Sequence, residues 1–199
     1  MNWSRPPPEV FRAVTGQQRA AIWSRVAGSS EEVAAWEQSP HFQTWEELHL
    51  YQNVGWWEAV DHEDRPVAIM RLGQAVSQCD TKVSAENLAK AMISLLDYGV
   101  WTFTKIEGLV VILDCRSVTT MQVPRLVRLL THIATGLNQH KPEKLHRLFF
   151  VDLPAAMRWP LQAARPLLHA DIRPKVHVCH LHDSALPFDL EAIPASWQA

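Results

Sequence analysis

Two continuous apolar runs limit what this chain can fold into. Residues 108–114 read GLVVILD and residues 147–152 read RLFFVD. Each has the length of a strand, and neither alternates apolar with polar side chains. A strand of that kind must be covered on both faces, which is the habit of parallel strands in an α/β sheet. The intervening stretches have helical character. In SAENLAKAMISLLDYGVWTF the residues Leu88, Ala91, Met92, Leu95 and Leu96 recur at helical spacing. VPRLVRLLTHIATGLNQH is a second amphipathic stretch with Pro124 in its first turn. AAMRWPLQAARPLLHA is a third, expected to be helical only in pieces because Pro160 and Pro166 interrupt it.

Flanking segments complete the pattern. WWEAV, DHEDR and PVAIMRLG read as strand, polar turn and strand, and KVHVCHL, 175–181, reads as the last strand. After the hairpin, strands and helices alternate, so a mixed, mostly parallel sheet covered by helices follows, with right-handed crossovers. Ahead of it, MNWSRPPP is a loose lead-in. GQQRAAIWSRVAG, SSEEVAAWEQS and FQTWEELHLY read as short helices, the second with Ser29 and Glu32 at capping-box spacing. The expected organisation is a small helical N-terminal segment, 1–50, and an α/β domain, 51–199.

Bulk composition excludes several function classes. A chain of 199 residues that is 47% hydrophobic and 20% charged can bury one good core. A formal charge of −2 provides no basic field for nucleic acid. No basic-flanked apolar segment near Met1 reads as a signal peptide, and no run is long enough to span a bilayer. Cys79, Cys115 and Cys179 are odd in number and widely spaced, which suits a reducing compartment rather than a disulfide framework. The expectation is a cytoplasmic protein that meets membranes only at their surface. Nine tryptophans are many for this length, and any exposed ones suit such an interface.

Common catalytic and nucleotide-binding motifs are missing: no GxGxxG, GxxxxGK[ST], GxSxG or HExxH occurs. The cluster HVCHLHD holds His177, Cys179, His180, His182 and Asp183. In a strand His177 and Cys179 share one face and His180 and His182 the other, a poor start for a tetrahedral metal site. Asp114-Cys115 ends an apolar strand, where α/β folds place ligands, and a nucleophilic pair of Cys115 with His132 or His140 is the enzymatic alternative. Neither reading outweighs its bland counterpart, so no metal ligand and no catalytic residue is assigned.

Several fragments in order carry a resemblance. DRPVAIMRLG, GLVVILDCRSV, KPEKLHRLFFVDLP and RPLLHADIRPKVHV match, with almost no gaps between them, the recurring pieces of the CRAL-TRIO family of lipid-binding and lipid-transfer proteins. The similarity runs from about residue 55 to the end. It implies a deep apolar pocket between a sheet floor and helices, closed by a mobile gate helix. By position the pocket would be lined by Leu109, Val111, Val151 and Leu168. The gate would span about 155–168 and touch membranes through Met157, Trp159 and Leu161. In family members that bind phosphatidylinositol, a Glu and a Lys contact the head group; their matches are Glu143 and Lys175, with Lys144 as the next basic position. The implied ligand is one phospholipid, phosphatidylinositol or a related phosphoinositide, with no other cofactor and no bond made or broken. Alternatives are an interaction or scaffold module with a closed or empty pocket, bound to an unknown protein partner, or a carrier of another hydrophobic ligand such as a retinoid or tocopherol. The chain departs from the family pattern at Leu109 and Val111, where choline-binding members carry hydroxyls, at Asp152, where Asn is usual, and at Ile172, which often is Thr.

Overall fold

The computed structural model describes residues 38, 54–60, 65–96, 108–139 and 142–180. Apart from residue 38, the segment 9–50 where helices were expected lies outside the described residues, as do 97–107 and everything beyond His180.

A five-stranded sheet forms in the order β1-β2-β3-β4-β5. Strand β1 (Gly55–Val60) pairs antiparallel with β2 (Pro66–Arg71), the expected hairpin. Strands β2, β3 (Leu109–Asp114), β4 (Leu145–Val151) and β5 (Val176–Cys179) then run parallel. Helices α1 (Leu72–Gln78) and α2 (Ala85–Leu96) join β2 to β3, α3 (Val123–Gln139) joins β3 to β4, and α4 (Ala155–Ala164) joins β4 to β5.

Because the parallel strands are added in sequence order, right-handed crossovers put every connecting helix on one face. The core divides accordingly. Ala68, Met70, Val111, Leu113, Leu148 and Phe150 belong to the cluster that contains the helical side chains. Their strand neighbours Val67, Ile69, Val110, Ile112, Phe149 and Val151 form a separate cluster with Cys179. Alternation of period two explains the split. All six residues of β3 are buried, which accounts for the uninterrupted apolar run.

Each helix keeps an apolar stripe toward the sheet. In α3, Leu126, Leu129, Ile133 and Leu137 recur at three- and four-residue steps and are buried. In α2, Leu88, Met92 and Leu96 do the same, and the Ser84 hydroxyl caps its start by accepting from the Asn87 amide at 3.2 Å. Gly136 lets the two helices approach, since a Cβ there would stand 3.0 Å from Ile93 Cγ1. Two sequence expectations change. Leu72 and Gly73, read as the end of the strand PVAIMRLG, instead begin helix α1. Pro160 does not interrupt α4, which runs through it; Pro166 lies in the 3-10 turn Arg165–Leu167 that follows.

Candidate functional site

Helix α4 roofs the space between α3 and the helical face of β3 and β4. Met157 is fully buried and Leu161 partly so, both against the core. Beneath them lies a void of about 50 Å³, whose floor is Leu113, Leu148 and Phe150 and whose side wall is Leu130, Ile133 and Leu137 of α3. Leu168 lies against it, and Arg165 is its one charged lining residue. A further space of about 20 Å³ extends it toward Met70, Met92, Val111 and Leu145, with Leu113, Ile133, Leu137 and Leu148 common to both. Pockets that hold a drug-sized ligand measure about 300–1,000 Å³. Among the described residues these two spaces are apolar, adjoin one another and are smaller than that.

The roof contains a proline and exposes large apolar side chains on its outer side. Pro160 carries no N–H, so the Ala156 carbonyl loses its intrahelical donor. Ala155 and Ala156 are exposed, so that carbonyl lies in a turn open to solvent. On the outer side, Trp159 is 75% and Leu167 66% exposed. The two ends are held by hydrogen bonds. At the C-terminal end, the Asn138 side-chain amide donates to the Leu167 carbonyl at 2.9 Å and accepts from the His169 amide at 2.8 Å. The Arg173 guanidinium donates to the Leu168 and Pro166 carbonyls at 2.8 and 2.7 Å. At the N-terminal end, the Asp152 amide donates to the Cys179 carbonyl and its carboxylate meets His180 Nδ1, both at 3.0 Å.

The charged residues expected to meet a head group sit in two 3-10 turns, Pro142–Lys144 and Arg173–Lys175, at the entry ends of β4 and β5. These strands are neighbours, with Leu148 opposite Val176, so the turns share one edge of the sheet. Glu143 is exposed, and Lys144 and Lys175 are half-buried. Leu145, next to Lys144, lines the deeper void, so this turn adjoins the apolar interior. Val176, next to Lys175, packs on the helical-face core.

The expected pocket residues are not all brought together. Val111 and Leu168 line the voids. Leu109 is buried on the same face but lines neither. Val151 lies on the opposite face, because Phe150 is the β4 residue in register to point at the helices. Met157 and Leu161 point inward, whereas Trp159 points out. Met70, Leu148 and Phe150 were not singled out from sequence, and only the strand register assigns them to the site; Met92, read from sequence only as part of a helical stripe, joins them from α2.

At the carboxyl ends of the strands, chemistry is locked into structure. Asp114 is 5% exposed and accepts from its neighbour Arg116 through Nε, Nη2 and the backbone amide at 3.1, 3.2 and 3.0 Å. Burial pushes the Cys115 thiol far up, and the nearby Asp114 carboxylate adds to it. The thiol donates to the Leu113 carbonyl at 3.4 Å; a protonated, buried thiol is a poor nucleophile. His177 stacks on Phe149 with centroids 5.3 Å apart. Among the described residues no group of three or more His, Cys, Asp or Glu could hold a metal; His182 and Asp183 lie outside them. Nor is any described helix long and apolar enough to cross a membrane.

Residues 50–197 match the model of the family described as CRAL/TRIO domain. No curated protein sequence matches the chain. Among solved structures the chain is similar to one titled "Crystal structure of Sfh5", with a TM-score of 0.56 and 14% identity. That likeness covers 84% of this chain and 62% of the other; at such identity it speaks for the fold.

Proposed function

The chain belongs to the CRAL/TRIO domain family, and from that premise we propose that it holds one phospholipid, phosphatidylinositol or a related phosphoinositide, and exchanges it with membranes by opening α4. Family membership supports the coarser statement, a binder of lipids or small hydrophobic ligands rather than an enzyme. The observation that carries the finer one is the apolar interior beneath α4, bounded on one side by Met157 and Leu161 and adjoining the charged Pro142–Lys144 turn through Leu145.

The chemistry assigns the parts. Acyl chains displace the α4 side chains from the sheet floor and gain apolar burial, worth about 25 cal/mol per Å². Glu143 accepts hydrogen bonds from inositol hydroxyls, while Lys144 and Lys175 neutralise the phosphodiester. Trp159 and Leu167, exposed on the roof, rest at a bilayer surface while the gate is open. The protein then works at the cytoplasmic face of membranes and binds them transiently.

Transfer of phosphatidylinositol between vesicles tests this. The wild-type chain should transfer it, and Glu143→Ala and Lys175→Ala should each slow transfer about tenfold, near 1.4 kcal/mol, with unchanged circular dichroism. Normal transfer by both variants would remove the head-group assignment.

The small volume of these spaces among the described residues favours a second reading, a closed module that scaffolds a protein partner. Native mass spectrometry after incubation with phospholipid, retinoid and tocopherol mixtures separates the readings. A bound phosphoinositide supports the first, a bound retinoid or tocopherol keeps the pocket but changes its cargo, and an empty protein in every mixture supports the scaffold.

A further inference from the structure

On its β5 side, α4 borders a different space, an open cleft of about 370 Å³. Its apolar floor includes Leu153, Val176 and Val178. Val178 projects to the helical side of β5 yet stays 49% exposed, so the floor is wet and apolar. The roof is a stripe of α4 and the turn after it: Arg158, Leu161, Gln162 and Arg165. These stand at i, i+3, i+4 and i+7, so they share one helical face, with the two arginines about 10 Å apart along the axis.

Charge in this cleft is unbalanced. Among the described residues Arg158 makes no ion pair or hydrogen bond and no carboxylate lines the cleft. Arg165 donates to the Arg173 carbonyl at 3.2 Å, a neutral acceptor. The Asp152 carboxylate is engaged by His180, itself a lining residue, at 3.0 Å. A wet apolar floor beneath two guanidiniums is complementary to an alkyl chain that ends in an anion, because guanidinium pairs bidentately with carboxylate or phosphate. The volume lies at the small end of the range for ligand pockets, which suits one chain rather than two.

We propose that this cleft is a second binding site, for a single-chain amphiphile with an anionic head, carboxylate or phosphate. It is separated from the interior void by Leu161, Arg165 and Leu168, which border both. The proposal does not rest on the phospholipid reading.

Displacement of dansyl-undecanoate from the full chain by dodecanoate, dodecyl phosphate or dodecanol tests it. The two anions should bind at least about tenfold tighter than the alcohol, and the stronger anion identifies the head. Arg158→Gln, at an exposed position unpaired among the described residues, should erase that advantage while leaving dodecanol unchanged. Val178→Glu should weaken both anions by putting a carboxylate on the floor. Ala134→Leu, which intrudes on the interior void only, should leave all three ligands unaffected. Equal affinity for anion and alcohol, or full anion binding by Arg158→Gln and Val178→Glu, overturns the site. Loss of anion binding in a folded Ala134→Leu protein moves the ligand to the interior and overturns it as well. Because phospholipid loading is read separately, its failure leaves these outcomes intact.

Discussion

Asp152 adopts a φ of 51°, in the left-handed region. Asp and Asn enter that region more readily than other residues with a Cβ, which gives a physical reason for Asp where related chains carry Asn. The requirement is conformational, and the carboxylate is then occupied by His180. Asp152→Ala should lower stability by about 2 kcal/mol, combining left-handed strain with a lost hydrogen bond, whereas Asp152→Asn should stay within about 0.5 kcal/mol. Urea midpoints with an unchanged m value decide it. His177 provides a pH handle. Burial lowers its pKa, with Arg147 and Arg165 adding to the effect. Between the lowered value and the ordinary imidazole value near 6.5, the unfolded chain binds more protons than the folded one. Stability therefore rises with pH through that window and is lost as pH falls through it. A His177→Gln variant should show a shallower loss between pH 7 and 5 than the wild type; parallel curves would show that the imidazole is not coupled to folding. At this scale the sequence was legible for side chains whose role follows from type, such as the strand-ending Asp114. The left-handed backbone of residue 152 was not legible, since no glycine marks it.

Helix α4 shows what a local reading can and cannot reach. Two prolines in sixteen residues read as breaks, but Pro160 removes only the donor to Ala156, and that carbonyl lies in a first turn open to solvent. The helix-forming tendency of its neighbours then prevails. Helix α1 is the converse case. Seven residues directly after a strand give too few turns for a periodic signal, and its close fit emerges only in three dimensions. A Cβ on Gly73 would stand 2.7 and 2.8 Å from the Ser117 carbonyl carbon and oxygen, so Gly73→Ala should cost about 1–3 kcal/mol through overpacking. The proposed gate is tied at its C-terminal end by Asn138, which joins the end of α3 to residues 167 and 169. Asn138→Ala removes two exposed hydrogen bonds, each worth about 0.5–1.5 kcal/mol. If opening limits exchange, lipid transfer should accelerate several-fold with little change in equilibrium loading. Stopped-flow transfer of a fluorescent lipid measures this, and an unchanged rate would place the slow step elsewhere.

Across the whole molecule, the alternation of apolar runs with amphipathic stretches was enough to imply a mostly parallel sheet with helices. The two-faced burial of β3 and β4 follows directly from their composition. Which side chains meet beneath α4 was beyond reach, because that depends on register: Val111 pairs with Leu148, which turns Phe150 inward and Val151 away. Shifting a strand assignment by one residue changes the face, and a local reading of the sequence does not give the pairing of strands thirty or more residues apart. Interior volume was equally hidden, since it is a small difference between large packed volumes. That volume is what distinguishes a carrier from a closed module, and linkage turns it into an observable for the intact chain. A ligand that binds only the folded state stabilises it by RT ln(1 + [L]/Kd), about 2.7 kcal/mol at a hundredfold excess over Kd. For a domain of this size each kcal/mol raises Tm by about 2–4 °C. A carrier should therefore melt about 5–10 °C higher with saturating phosphatidylinositol in detergent-free nanodiscs than with matched phosphatidylcholine nanodiscs. A closed module has no site to saturate and should melt at the same temperature in both, whatever its surface contacts with the bilayer.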